Sequence, residues 1–194
     1  ADLKEKGYNV LATGEMGIGN TTTSSAVCSV LLDQSVEKVT GKGAGLTNKD
    51  LEHKIEVIRQ SIALNKVNAD DPLDVLAKVG GLDIAGMAGC YIGGAALNIP
   101  VFIDGFISSV AALIAIRLVP ECAPYLFPSH CSNEPAGRMI LDAIGKQPYI
   151  LANMCLGEGT GAFMGFTIAV YAFKAYWELP SFEQTNFGTY EELN

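Results

Sequence analysis

One alternation constrains this chain more than any other feature: short apolar runs end in glycine turns, and each turn opens a longer stretch of helical periodicity. Tyr8 to Thr13 (YNVLAT) reads as a strand entering a glycine loop, and Thr21 to Leu32 as the helix that leaves it. Pro100 to Ile103 is a second strand, followed by Asp104-Gly105 and the apolar helix FISSVAALIAIRLV. PYLFPSH (124–130) holds a third strand ahead of a helix in PAGRMILDAIG (135–145). YILANM (149–154) is a fourth, ahead of a glycine turn and the helix 160–177. Strands joined by crossover helices pair in parallel, and their sheet needs cover on both faces. The pattern therefore predicts an α/β fold of three layers, α/β/α, with a mostly parallel, Rossmann-like sheet. Three further helices fill the interval between the first two strands. The first is KDLEHKIEVIRQSIALN, with Asn48 as its N-cap. The second is a short helix opened by Asp71-Pro72 and stopped at Gly80-Gly81, and the third runs from Asp83 to Leu97.

The 194 residues suffice for one well-cored domain. It is read as residues 1–179, with the polar stretch 180–194 as a C-terminal arm. The opening ADLKEKGYNV resembles the tail of an amphipathic helix running at once into a strand, so the chain is expected to be the C-terminal part of a longer polypeptide. The stretch ADLKEKGYNV is charged and lacks an apolar core, so it is not expected to be a signal peptide. A net charge of −8 argues against nucleic acid or an anionic membrane as the main partner. The apolar stretches near 84–119 and 161–177 are broken by Asn98, Pro100, Asp104 and Lys174, so no membrane span is expected. The five cysteines form no C-x-x-C pair, and the only histidines are His53 and His130, which is no zinc spacing. Reduced thiols and a cytoplasmic location are the plain reading, with no metal and no other cofactor.

Ligands of open parallel sheets bind beyond the carboxyl ends of the strands, which directs attention to two glycine-framed loops. In TGEMGIGNTTT, Gly14, Gly17 and Gly19 surround Glu15. No Gly-Lys-Ser/Thr follows, so this is not a Walker loop, and the spacing is not G-x-G-x-x-G. Backbone N–H groups at a helix start, beside the hydroxyls of Thr21 to Thr23, suit a single phosphate; a plain strand-to-helix turn would look the same. In LGEGTGA (156–162), Glu158 stands between Gly157 and Gly159, after Leu156. Flanking glycines admit a ligand closely, and a poorly hydrated pocket would push the carboxyl pKa upward, as a general base requires. The competing reading is a first-turn glutamate favoured by the helix dipole. Lys42 or Lys54 could serve a phosphate, and spacing alone does not choose between them. His130 and Ser132 make a His–Ser pair in PSHCSNEP, but without a G-x-S-x-G elbow the hydrolase reading is weak. A dinucleotide-dependent oxidoreductase fits the strand–helix pattern and lacks its fingerprint.

Taken together, GEMGIGNTT (14–22), GKGAGL (41–46), GLDIAGMAGCYIGGAA (81–96), PVFIDGFISSVAAL (100–113), SHCSNEPAG (129–137) and LGEGTGA (156–162) resemble the nicotinate-nucleotide–dimethylbenzimidazole phosphoribosyltransferase family. The resemblance runs nearly end to end, with the blocks in the same order. It implies a parallel-sheet α/β domain with a small helical subdomain. It also implies transfer of the ribosyl 5-phosphate of nicotinate mononucleotide to a benzimidazole nitrogen, with inversion at the anomeric carbon. By the same resemblance Glu158 is the general base, Gly17 and Lys54 hold the phosphate, and Ser132 is a further ligand contact. Glu15 faces the ribose or the positive charge at the anomeric carbon, and Gly19, Leu156 and Gly157 complete the substrate-binding set. A donor with one phosphate and a pyridine leaving group needs no Mg²⁺-binding acidic pair, and the aspartates of NADDP (68–72) read as a cap. The partners implied are small molecules and a second subunit, as a homodimer or as a heterodimer with a related chain. Family members extend further at the N-terminal end, and some relatives accept phenols or work as unequal subunits. A phenolic acceptor, or a non-catalytic partner subunit, therefore remains open.

Overall fold

The computed structural model describes residues 1–185. Its sheet has three parallel strands, β1 (Leu11–Ala12), β2 (Val101–Ile103) and β3 (Leu126–Pro128), in the spatial order β1-β2-β3. Leu11 lies opposite Val101, and Val101 opposite Leu126. The ladder reaches one residue beyond β1, where Thr13 N–H donates to Phe102 O, and one residue before β2, where Leu11 N–H donates to Pro100 O, both at 3.0 Å. Helix α1 (Asp2–Glu5) precedes β1. Between β1 and β2 run α2 (Asn20–Leu31), α3 (Val36–Val39), α4 (Asn48–Asn65), α5 (Pro72–Val79) and α6 (Leu82–Ala96). Helix α7 (Phe106–Leu118) and a 3₁₀ turn, Pro120–Tyr125, lead to β3, and α8 (Gly137–Ala143) and α9 (Thr160–Glu178) follow. This is the expected α/β fold, helix-rich around a small parallel sheet.

The alternation of side chains along β2 assigns its two faces. Val101 and Ile103, both fully buried, point into the core shared with α6 and α7. Gly94 of α6 comes so near that a Cβ on it would lie 2.5 Å from Val101 Cγ2. Phe102 points the other way, edge-on to Phe166 of α9 with ring centroids 5.7 Å apart. Helix α9 buries Gly161, Ala162 and Gly165 on the sheet and leaves Phe163, Tyr171, Phe173 and Tyr176 exposed. No helix among the described residues is long and apolar enough to cross a membrane.

Three expectations are corrected. The fourth strand does not form: 149–154 makes a single bridge, His130 to Ile150, because its hydrogen bonds to 129–133 are irregular and Asn153 takes a positive φ of 51°. The cap of α4 is Thr47 rather than Asn48. Thr47 is extended and its Oγ1 accepts from Asp50 N–H at 3.2 Å, while Asn48 is already helical. The helix expected over Asp83 to Leu97 begins at Leu82, with Gly81 as its cap. Asp71 does cap α5, its Oδ1 accepting from Leu73 N–H at 2.9 Å with Pro72 at the first helical position. Of the expected arm 180–194, the part after Thr185 lies outside the described residues.

A buried hydroxyl holds β1 to the layer beneath it. Tyr91 of α6 is fully buried, lies 2.7 Å from Thr13 Oγ1 and donates to Ser108 O at 3.1 Å. Tyr91→Phe keeps the ring and removes both bonds, so a loss of about 1 kcal/mol is expected, read as a lower urea midpoint at constant slope. An unchanged midpoint would mean that the hydroxyl contributes nothing to stability.

Candidate active site

Beyond the carboxyl ends of the strands lies a cleft of about 490 Å³. The two glycine loops form one side of it and touch each other. A Cβ on Gly14 would lie 2.3 Å from Gly159 N, and one on Gly157 would lie 3.4 Å from Glu15 Oε1. Only residues without side chains allow backbones this close. The first loop ends at α2, whose N-cap Gly19 has a φ of 89° and no side-chain cap bond. Its opening N–H groups are therefore left without a side-chain acceptor, the condition under which a helix start takes an anion.

Glu15 is half-buried on the cleft wall and accepts a short hydrogen bond from Asn20 Nδ2. Burial pushes its pKa up, the Asn20 bond opposes this, and the nearby carboxylates of Asp83, Asp104 and Glu158 push it further up. Glu158 also lines the cleft but is solvent-exposed, so the desolvation expected of it falls on Glu15 instead. It lies one residue before the α9 cap Gly159, outside the first turn, at a φ of 58° between two glycines of positive φ. A glutamate in the left-handed region is strained by about 1 kcal/mol or more and persists where its surroundings fix it.

Lys54 is buried in α4, where its Nζ donates to Thr21 Oγ1 at 2.9 Å and Gly41 O at 3.0 Å. Burial lowers its pKa and the Glu134 carboxylate opposes that. Thr21 is on the cleft wall; Lys54 itself stands one hydroxyl behind it. Gly17, Ser132, Leu156 and Gly157 line the cleft, whereas Gly19 stays off the wall at the head of α2. Ser132 Oγ accepts from Glu134 N–H at 3.3 Å and makes no hydrogen bond to His130 among the described residues. The hydroxyl beside His130 Nδ1 is that of Ser129, at 3.1 Å, and it donates to Asp104 O. The His–Ser pair of the sequence is not a nucleophile–base pair. Burial lowers the pKa of His130, against the opposing charge of Asp104. No group of three or more His, Cys, Asp or Glu side chains is placed to hold a metal ion among the described residues.

Sequence reasoning missed Asp104, which is only 2 % exposed and faces the start of α9. Its one signal was an acidic residue at the carboxyl end of the most buried strand, hidden by the ordinary look of Asp-Gly as a turn.

Fold and cleft define an α/β protein with an open cleft at the ends of its parallel strands and two glycine loops along one side of it. A family model described as phosphoribosyltransferase matches residues 1–187, and the chain belongs to that family. It is 53% identical over 191 residues to the nicotinate-nucleotide–dimethylbenzimidazole phosphoribosyltransferase of Ruminiclostridium cellulolyticum, covering 98% of this chain and 54% of that protein. The enzyme of the same name from Acetivibrio thermocellus is 49% identical, again covering 98% of this chain and 54% of its own length. A crystal structure of CobT from Thermus thermophilus superposes with a TM-score of 0.89 at 32% identity, covering 96% of this chain and 56% of that one. The chain thus spans about half the length of the relatives it matches.

Proposed function

We propose that this chain carries the transfer site of a nicotinate-nucleotide–dimethylbenzimidazole phosphoribosyltransferase, as part of a longer polypeptide. Nicotinate mononucleotide gives its ribosyl 5-phosphate to a ring nitrogen of 5,6-dimethylbenzimidazole or a related base. The nitrogen–C1′ bond forms on the face opposite the departing nicotinate, the acceptor's other N–H loses its proton, and α-ribazole 5′-phosphate results. The observation that carries this reading is the junction of the two loops, which sets a helix start free of side-chain caps and a glutamate at one cleft. The names borne by the relatives support a benzimidazole over a phenol as acceptor.

Each group then has a task. The opening N–H groups of α2, with Gly17 and Thr21, receive the phosphate, and Lys54 supplies positive charge from behind Thr21. Glu15 faces the ribose, where its charge favours the cationic character that builds at C1′. Glu158 takes the acceptor's proton, and an aromatic base stacked near Leu156 would withdraw Glu158 from water on binding. Ser132, which lines the same cleft, is a further ligand contact. The same reading places the protein in the cytoplasm as a homodimer, which the mass of the native particle checks.

Lys54→Ala tests the donor assignment. Lys54 acts on the phosphate as a charge behind Thr21 rather than by direct contact, worth on the order of 1–2 kcal/mol at that separation in a partly buried site. The affinity for nicotinate mononucleotide should therefore fall by about tenfold in calorimetry, with a melting curve run alongside. Unchanged affinity in the folded variant would exclude Lys54 from phosphate binding.

A further inference from the structure

We propose that Asp104 is a positioning residue of this transfer reaction, tying the 157–162 turn to the end of β2 and so holding Glu158 at the cleft. The inference rests on the role of Glu158 given above. Asp104 Oδ2 accepts from Gly159 N–H at 2.8 Å, and Oδ1 accepts from Gly161 N–H at 2.7 Å and from Ala162 N–H at 3.2 Å. Among the described residues these are the only hydrogen bonds between the turn and any other element. The turn's remaining bonds are local, such as Thr160 N–H and Oγ1–H to Gly157 O. The strained backbone of Glu158 is thus fixed from one side chain, 54 residues earlier in the chain.

The chemistry suits a tether rather than a proton acceptor. Both carboxylate oxygens are engaged by amides, and among the described residues no lysine or arginine pairs with Asp104. Its charge is balanced by the start of a 19-residue helix, where three N–H groups and the helix dipole favour an anion. Two helix starts therefore face one cleft with opposite fates. That of α9 is filled by Asp104, and that of α2 is left open for the substrate. The fit is close: a Cβ on Gly161 would lie 2.7 Å from Asp104 Oδ1 and 2.0 Å from His130 Nδ1, so the helix start can approach only as glycine.

The test is Asp104→Asn in the natural full-length polypeptide, alone and combined with Glu158→Gln. Asparagine keeps the size but points an amide NH₂ at the N–H groups of the turn, which releases it. A misplacement on the order of 1 Å costs about 10²-fold, so kcat should fall by about that factor while the KM for nicotinate mononucleotide stays in place. In the Glu158→Gln background the same change should add no further loss, since residues that act through one another are not additive. Losses that multiply, or a rise in KM at constant kcat, would overturn the positioning role alone. Wild-type turnover in Glu158→Gln by itself would overturn the reading on which it rests. If Asp104→Asn does not fold, amide exchange in the unaltered protein decides: slow exchange at Gly159 and Gly161 is expected, and exchange at the rate of a free loop overturns the tether.

Discussion

Glu158→Gln in the natural full-length polypeptide is expected to lower kcat by about 10²–10⁴-fold, the usual contribution of a general base. The acceptor attacks through one ring nitrogen while the other sheds a proton, and among the described residues two carboxylates on the cleft wall make no side-chain hydrogen bond, Glu158 and Glu134. Burial raises the Glu134 pKa, but the Lys54 charge beside it opposes this and favours its ionised, weakly basic form, which leaves Glu158 as the base. Glutamine matches its shape, keeps an acceptor oxygen and cannot take the proton. Because Glu158 is exposed, the exchange leaves no buried group without a partner, and the melting temperature should stay where it is. Donor affinity should also hold, since the phosphate is received at the other loop. Turnover at the wild-type level would remove the base from Glu158 and leave it as the residue that precedes the α9 cap.

Much of the scaffold was legible because it rests on local patterns. Asp71-Pro72 announced α5 by its own chemistry, and the helical periodicity of 49–65 marked α4 to its last residue and to within one residue of its start, where Thr47 rather than Asn48 supplies the cap. The two loops stood out by their glycines, but the sequence suggested room for a ligand, whereas Gly14 is glycine because backbone meets backbone there and Gly157 and Gly159 because both hold a positive φ. What escaped was set by contacts between distant residues. Nothing local distinguishes Asp104-Gly105 from a surface turn, since its three amide partners come more than 50 residues later. The same holds for burial: glycine neighbours marked Glu158 as the dry carboxylate, yet the packing desolvates Glu15. YILANM had the composition of a strand, but Asn153 turns the backbone left-handed before a ladder can form.

The contact between the loops supplies a second large effect. Gly14→Ala is expected to lower turnover by about 10²-fold, through displacement rather than loss of any reacting group. The added Cβ would lie 2.3 Å from Gly159 N, 2.5 Å from Gly159 Cα and 2.9 Å from Glu158 C, and backbone atoms cannot swing aside as a side chain would. Separation by about 1 Å is needed to restore ordinary contact, and misplacement of that order costs about 10²-fold. Neither side yields easily. Gly159 is held by Asp104 at 2.8 Å, and Gly14 follows Thr13, which is bonded through its N–H to Phe102 O and lies 2.7 Å from the Tyr91 hydroxyl. Gly14 is not among the residues of positive φ, so alanine brings no backbone strain of its own and the effect isolates the contact. Overpacking should also lower stability by about 1–3 kcal/mol. Gly86→Ala in α6, where a Cβ meets nothing within 4 Å, is the control and should leave turnover unchanged. If Gly14→Ala folds and turns over like the unaltered protein, the loops need not touch for the reaction, and the cleft draws its geometry from each of them separately.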